Sequence, residues 1–154
     1  MPRIKKEFLP DPSEKILGID YGDSNIGIAF GSAGLSSSIK AVSATNIDEA
    51  ITDIVRTAIS NKVSRIVVGL PLSDTGKPNP QTFKVKDFVV RLRTKVKFPI
   101  TFVNEFMTSK EALIKAVGYG VAKKNRSRLD SMAAEIIVQR YYAGEADLPK
   151  RLDR

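Results

Sequence analysis

Residues Ile16 to Phe30 read Ile-Leu-Gly-Ile-Asp-Tyr-Gly-Asp-Ser-Asn-Ile-Gly-Ile-Ala-Phe, and this stretch decides the fold. Two short apolar runs rich in β-forming residues flank a polar tract with glycines on both sides, which is typical of a β-hairpin. The first run, Ile16 to Ile19, is continuous rather than alternating, as expected for a strand that is covered on both faces. The pattern therefore predicts a central strand that ends at the carboxylate of Asp20.

A carboxylate at the end of a buried strand has to be compensated, because removing a lone charge from water costs several kcal/mol or more. A bound metal ion would compensate Asp20, and so would hydrogen bonds from the backbone and hydroxyl groups of Tyr21, Gly22 and Ser24. Asp20 is equally well explained as a turn-forming residue at a strand end. The hairpin alone leaves these alternatives open.

The composition limits both the size of the fold and its chemistry. With 154 residues and 42% hydrophobic content, the chain is expected to fold as a flexible arm (1–14), one domain (15–146) and a charged tail (147–154). It has no cysteine and no histidine, which excludes disulfides, thiolate zinc sites and catalysis by imidazole. Neither a signal peptide nor a membrane-spanning run is evident, so a cytoplasmic location is expected.

The charge distribution indicates a polyanionic partner. The net charge is +8 and the pI is about 9.8. Thirteen cations between residues 77 and 128 face only three acids. A solvated basic surface that merely aids solubility is the alternative, but so local an excess favours nucleic acid. The residues expected to contact the phosphate backbone are Lys77, Lys84, Lys123, Lys124, Arg126 and Arg128.

The remaining chain predicts the element order β-β-β-α-β-α-β-α-α. A polar turn at 32–40 leads to a third strand at 39–43, and Asn46 with Glu49 is expected to cap a helix with an apolar face from 47 to 59. A buried strand at 65–70, a loop at 72–80 of the kind that binds ligands in α/β sheets, and a helix at 81–96 follow. The last elements are a strand at 100–103, a helix ending at 117, a glycine-flanked flap at 118–120 and a helix from about 129.

Carboxylates follow or begin three of these elements: Asp20 after the first strand, Glu105 after the fifth, and Asp130 at the mouth of the last helix. Stabilisation by the helix dipole is an adequate structural explanation for Asp130. The sequence around the three acids nevertheless resembles a known family in four blocks. The blocks are Asp20-Tyr-Gly with the following Ile-Gly-Ile-Ala-Phe, Val67-Val-Gly-Leu-Pro-Leu, Asn104-Glu with the following Thr-Ser, and Leu129-Asp-Ser-Met-Ala-Ala-Glu.

In these blocks the chain resembles the YqgF family, also called RuvX, whose members are described as Holliday junction resolvases and as nucleases that trim precursor ribosomal RNA. The resemblance implies an α/β ribonuclease-H-like fold: a mixed five-stranded sheet, with three antiparallel strands and then parallel strands, and helices on both faces. It implies that the strands preceding Asp20 and Glu105 lie side by side and that the last helix adds Asp130. The basic residues that the family usually has at positions 24 and 106 are replaced here by Ser24 and Phe106, which affects the expected affinity for substrate.

The resemblance also implies a function. Asp20, Glu105 and Asp130 are expected to be both catalytic residues and ligands of Mg²⁺ or Mn²⁺, in a two-ion site that cleaves a phosphodiester bond with ions about 3.5–4 Å apart. Expected substrates are the 5' end of pre-16S ribosomal RNA or branched DNA, and a homodimer is left open. The alternatives are a nucleic-acid-binding protein of the same fold without turnover, an ATP-handling domain, for which the chain is too short, and a ribosome-assembly protein that uses only its basic face.

Overall fold

The computed structural model describes residues 10–73, 75–104 and 126–145. Their elements are, in order, β1 (Ile16–Tyr21), β2 (Asn25–Ser32), β3 (Leu35–Ser43), α1 (Ile47–Ser60), β4 (Arg65–Leu70), α2 (Pro80–Arg93), β5 (Ile100–Asn104) and α3 (Arg126–Tyr142). The predicted helix ending at 117 and the predicted flap at 118–120 lie outside the described residues. Within the described ranges, every helix is too short or too polar to cross a membrane.

The five strands form one mixed sheet in the order β3-β2-β1-β4-β5. β1, β2 and β3 pair as antiparallel neighbours, whereas β4 is parallel to β1 and β5 is parallel to β4. This arrangement confirms the predicted sheet. The expectation that the strands preceding Asp20 and Glu105 are neighbours is wrong, because β4 lies between β1 and β5. The backbones of β1 and β5 are thus about 10 Å apart.

Side-chain alternation along the strands divides the helices between the two faces of the sheet. Leu17 and Ile19 of β1 belong to the larger core cluster, which includes buried residues of α1 and α2. Ile16 belongs to the second cluster, with Ile137 and Val138 of α3. Because Asp20 has the same parity as Ile16, it lies on the face that α3 covers.

Glycines on this second face let α3 approach the sheet closely. A Cβ atom built at Gly18 would lie 2.9 Å from the carbonyl oxygen of Ala134, and one at Gly31 would lie 2.6 Å from Cγ1 of Val138. Real Cβ atoms do not come so near to other heavy atoms. The close packing of α3 therefore depends on the absence of side chains at these positions.

The predicted turn at 32–40 is wrong, because only Ala33 and Gly34 separate β2 from β3. Their φ angles of 56° and 75° are left-handed, as a two-residue hairpin turn requires. β3 begins at Leu35 and is exposed along most of its length. An edge strand that faces solvent needs no apolar alternation, which explains why the serine-rich start of β3 has the sequence pattern of a turn.

The helices α1 and α2, which cover the face of the sheet opposite α3, begin at polar capping residues. Asn46 caps α1 as predicted, its side chain accepting a hydrogen bond from the backbone N–H of Glu49 at 3.1 Å. Ile59, predicted to face inward, is 66% exposed. Asn79 and Thr82 form a full capping box at the start of α2. The helix ends at Arg93 rather than near residue 96.

Polar side chains bind the C-terminal end of α3 to the edge of the sheet at which β1 and β4 begin. The Tyr141 hydroxyl donates to Oε1 of Glu14 at 2.7 Å, and the Tyr142 hydroxyl donates to the Glu14 carbonyl oxygen at 2.6 Å. Arg65 pairs with Oε2 of Glu14 at 2.9 Å and donates to the Thr101 hydroxyl at 2.6 Å. Burial is the main cause that raises the pKa of both tyrosines, and the neighbouring Glu14 raises it further. The pKa of Tyr142 is raised to about 12.

Candidate active site

β1 places Asp20 near the carboxyl ends of the parallel strands. Asp20 is only 3% exposed, and its Oδ2 atom is buried. In the sheet, Asp20 pairs with Gly27 of the neighbouring strand β2. Ile19 is aligned with Val68 of β4, which is aligned with Phe102 of β5. The carboxyl edge of the sheet, where α/β proteins bind ligands, therefore contains a buried acid in its central strand.

α3 brings a second buried acid to the same edge. Asp130 and Ser131 are each 5% exposed. The carbonyl group of Asp130 fills the space where a side chain at Gly27 would stand, and the same Cβ position is 2.9 Å from the backbone nitrogen of Ser131. Because Gly27 pairs with Asp20, the backbone of Asp130 packs on a position one strand spacing, about 5 Å, from Asp20.

α3 begins at Arg126, so the prediction that it begins near Leu129 is wrong. Asp130 is the fifth residue of the helix, and the first turn contains no acid. Stabilisation by the helix dipole falls off within the first turn. It therefore does not explain why a carboxylate is buried at Asp130.

Glu105, the third predicted acid, lies outside the described residues. It follows Asn104, the last residue of β5, which is aligned with Leu70 at the end of β4. Nη1 of Arg140 donates a hydrogen bond to the Asn104 carbonyl oxygen at 3.1 Å, so α3 contacts the end of β5 as well. In the described part of the chain, no three histidine, cysteine, aspartate or glutamate side chains are grouped to hold a metal ion.

The predicted phosphate-binding cations fall into two groups. Lys77 is exposed in a tight turn, where the backbone nitrogen of Ser73 donates to the Lys77 carbonyl oxygen at 2.8 Å. Lys84 of α2 is also exposed, and its Nζ lies 3.3 Å from Oδ1 of Asp23 in the loop after β1. Lys123 and Lys124 lie outside the described residues. Arg126 and Arg128 belong to α3, but their side chains are not among the described ones.

Two residues that shape this edge were missed at the level of sequence. The sequence pattern indicates Gly27 only as part of a hairpin, although Gly27 lies on the same face of β2 as Gly31, which also contacts α3. Arg140 was not singled out, because nothing in its local sequence indicates that it reaches a carbonyl group on β5.

Comparison with known proteins identifies the family. Residues 14–143 match the sequence profile of RuvX, described as Holliday junction resolvase. The chain belongs to the RuvX family. The relatives of this chain include proteins with the name "Putative pre-16S rRNA nuclease". The one from Pseudoalteromonas translucida is 33% identical over 90% of this chain and 95% of its own length. The relative from Orientia tsutsugamushi is 34% identical over 86% of this chain and 87% of its own length.

The likeness to a solved structure agrees with the RuvX assignment at the level of the fold. Thermus thermophilus RuvC, solved in complex with a Holliday junction substrate, matches with a TM-score of 0.51 over 86% of this chain and 98% of its own. The sequence identity is 12%, so this comparison concerns the fold alone. The RuvX chain has the ribonuclease-H-like fold, as predicted.

Proposed function

We propose that this protein is a metal-dependent nuclease that hydrolyses phosphodiester bonds in structured nucleic acid. The observation that carries the proposal is the position of α3, whose Asp130 packs by its backbone on Gly27, the partner of Asp20 in the sheet. This contact brings two buried acids to the carboxyl edge. The family description and the names of the relatives support phosphodiester cleavage as the reaction.

We assign Asp20, Glu105 and Asp130 as catalytic residues and metal ligands. The chain has no histidine or cysteine, so the donors at this edge are oxygens, which fit Mg²⁺ or Mn²⁺. Crowded carboxylates repel one another unless cations neutralise them. When bound, a pair of such ions would activate the attacking water and stabilise the leaving oxygen.

The chain's own residues bind and orient the nucleic acid. Asp20 and Asp130 lie on a strand and a helix that are packed together, which holds their carboxylates in place. Lys77 and Lys84 are exposed cations on segments that follow β4. We also assign phosphate binding to Lys123, Lys124, Arg126 and Arg128. These cations attract phosphates irrespective of base sequence, so affinity is expected to fall steeply as salt increases.

The 5' end of pre-16S ribosomal RNA and branched DNA are the proposed substrates, with cleavage leaving a 5'-phosphate and a 3'-hydroxyl. Both are handled in the cytoplasm of a bacterial cell, which is the proposed location. A homodimer would suit a four-way junction, whose own symmetry offers two equivalent cleavage sites.

The proposal is tested by incubating the protein with Mg²⁺ or Mn²⁺ and each of three substrates: a pre-16S RNA fragment, single-stranded DNA and a four-way junction. We expect wild-type protein to cleave at least one, and Asp20→Asn to lower the rate about 10²- to 10³-fold while still binding it. Asp53→Asn is the matched control, because Asp53 is on α1 and pairs with Lys40. Equal rates for wild type and Asp20→Asn would overturn the assignment. Binding without cleavage by wild type would favour a binding protein.

A further inference from the structure

Phe83, in the first turn of α2, is an exposed aromatic residue. It is 56% exposed, and Val90, two turns later on the same side of the helix, is 62% exposed. Single exposed apolar residues are common on protein surfaces. Exposed cations neighbour both residues, Lys84 beside Phe83 and Arg91 beside Val90, so Phe83 differs in having an aromatic ring and in lying at the end of α2 that follows the loop after β4.

Contacts of α2 place the start of this helix near the carboxyl edge of the sheet, although α2 covers the face opposite to the one that α3 and the two acids occupy. α2 begins after the loop that follows β4, and Lys84 reaches Asp23, three residues beyond Asp20. Farther along the helix, the centroid of the Phe88 ring lies 4.8 Å from the centroid of the Tyr21 ring, and Tyr21 is the residue after Asp20. Phe83 is five residues before Phe88, or about 7.5 Å along the helix axis toward the loop.

The charge around Phe83 identifies the kind of molecule that would cover it. α2 contains four cations and one acid, Asp87, and Lys77 precedes it in the loop. An apolar protein surface would gain nothing from this positive charge. A strand of nucleic acid carries both a phosphate backbone that cations attract and flat bases that stack on aromatic rings.

We propose that Phe83 stacks on an unpaired base of the substrate, with Lys84 and Lys86 contacting the adjacent phosphates. The inference rests on the proposed function and adds a substrate class: nucleic acid with unpaired nucleotides where it passes the start of α2. Bases inside a duplex are stacked on each other and do not offer a free face. Phe83 therefore favours single-stranded over double-stranded segments.

The first test compares binding of fluorescein-labelled single-stranded and duplex oligonucleotides of equal length, with EDTA present to prevent cleavage. We expect Phe83→Ala to raise the Kd for the single strand about tenfold and to leave the Kd for the duplex within about twofold. Val90→Ala is the matched control, since it truncates an equally exposed apolar residue without a ring. It should change neither Kd by more than about twofold.

The second test uses the absence of tryptophan from the chain. Phe83→Trp keeps a stacking ring and provides a single fluorophore, so its emission should be quenched by the single strand and its affinity should match wild type. The emission of the Val90→Trp variant should not be quenched by the single strand.

Three results would overturn the inference: equal losses for duplex and single strand in Phe83→Ala, an equal loss in Val90→Ala, or no quenching in Phe83→Trp. Wild-type protein that binds no nucleic acid at all would remove the proposed function as well. Wild-type binding that Phe83→Ala leaves unchanged would remove the stacking role alone.

Discussion

The carbonyl group of Asp130 occupies the position that a side chain at Gly27 would take. This relationship joins two distant parts of the chain at the point where β2 pairs with Asp20. The active-site proposal therefore depends on a residue that has no functional group of its own.

Replacing Gly27 by alanine is expected to displace α3. The added methyl group would overlap the Asp130 backbone, which cannot rotate away as a side chain can, so the cost in unfolding free energy is expected to reach about 3 kcal/mol, the upper end of the usual range for overpacking. Urea unfolding measures this cost, and cleavage should fall with it. Gly76→Ala is the control: Gly76 has a φ of +81° but open space around it, so only backbone strain of about 1 kcal/mol is expected. Equal costs for both variants would contradict a packing role for Gly27.

Divalent ions are expected to stabilise the folded protein through the acidic edge. At a Mg²⁺ concentration ten times the Kd, binding adds about 1.4 kcal/mol, which raises Tm by roughly 3–6 °C in a chain of this size. Differential scanning fluorimetry should show this rise for wild type and Asp53→Asn but not for Asp20→Asn or Asp130→Asn. EDTA should reverse it. A rise that persists in both site variants would place the ion elsewhere.

The hydrogen bond from Tyr141 to Glu14 is expected to stabilise the fold. Tyr141→Phe should lower the unfolding free energy by about 1–2 kcal/mol, because the acceptor is a half-buried carboxylate. A double-mutant cycle with Glu14→Gln isolates the pair, and the two changes should be less than additive. Strict additivity would mean that the bond contributes nothing in solution.

Alkaline pH is expected to destabilise the protein through the same two tyrosines. Their pKa values are raised above the ordinary value near 10, that of Tyr142 to about 12, so the folded state holds protons that the unfolded state releases. This contribution to stability is complete below pH 10 and is lost as pH rises through about 12. Unfolding free energies measured from pH 9 to 12 should decline less steeply in the Tyr141→Phe/Tyr142→Phe double variant. An unchanged decline would assign it to other groups.

Phosphate contact by Lys77 is expected to appear in the salt dependence of binding. Lys77→Ala should reduce the slope of log K against log salt by about 0.7–0.9, whatever the base sequence. Lys97→Ala removes an exposed cation just before β5, at the opposite edge of the sheet, and should leave the slope unchanged. Equal slopes for the two variants would indicate diffuse attraction by net charge.

Strands and helices with strong local patterns could be predicted from the sequence. The continuous apolar runs of β1 and β4 and the Asn46 cap of α1 were sufficient for correct placement. The start of β3 was predicted wrongly because of the position of this strand in the sheet. β3 is an exposed edge strand, so its Ser36 to Ser38 segment has no strand pattern. The order of β1, β4 and β5 is likewise a matter of topology that local sequence does not encode.

The candidate site was partly predictable for the same reason. Asp20 attracts notice because a carboxylate at the end of a buried strand is costly, and Asp130 because of the family resemblance; the structure finds both of them buried. The role of Gly27 could not be read from the hairpin, since it depends on what packs against the strand. The pairing of Glu14 with Arg65 and Tyr141 joins residues far apart in the chain, and only the folded sheet brings them together.

α3 is one continuous helix of 17 residues, about 26 Å long. Its last turn is tied to Glu14, while Asp130 lies one turn from its other end. A substitution at Arg65 or Tyr142 that lets the helix rotate would also change the direction of the Asp130 carboxylate. Loss-of-function variants should therefore arise at the amino edge of the sheet, among residues that never approach a phosphate.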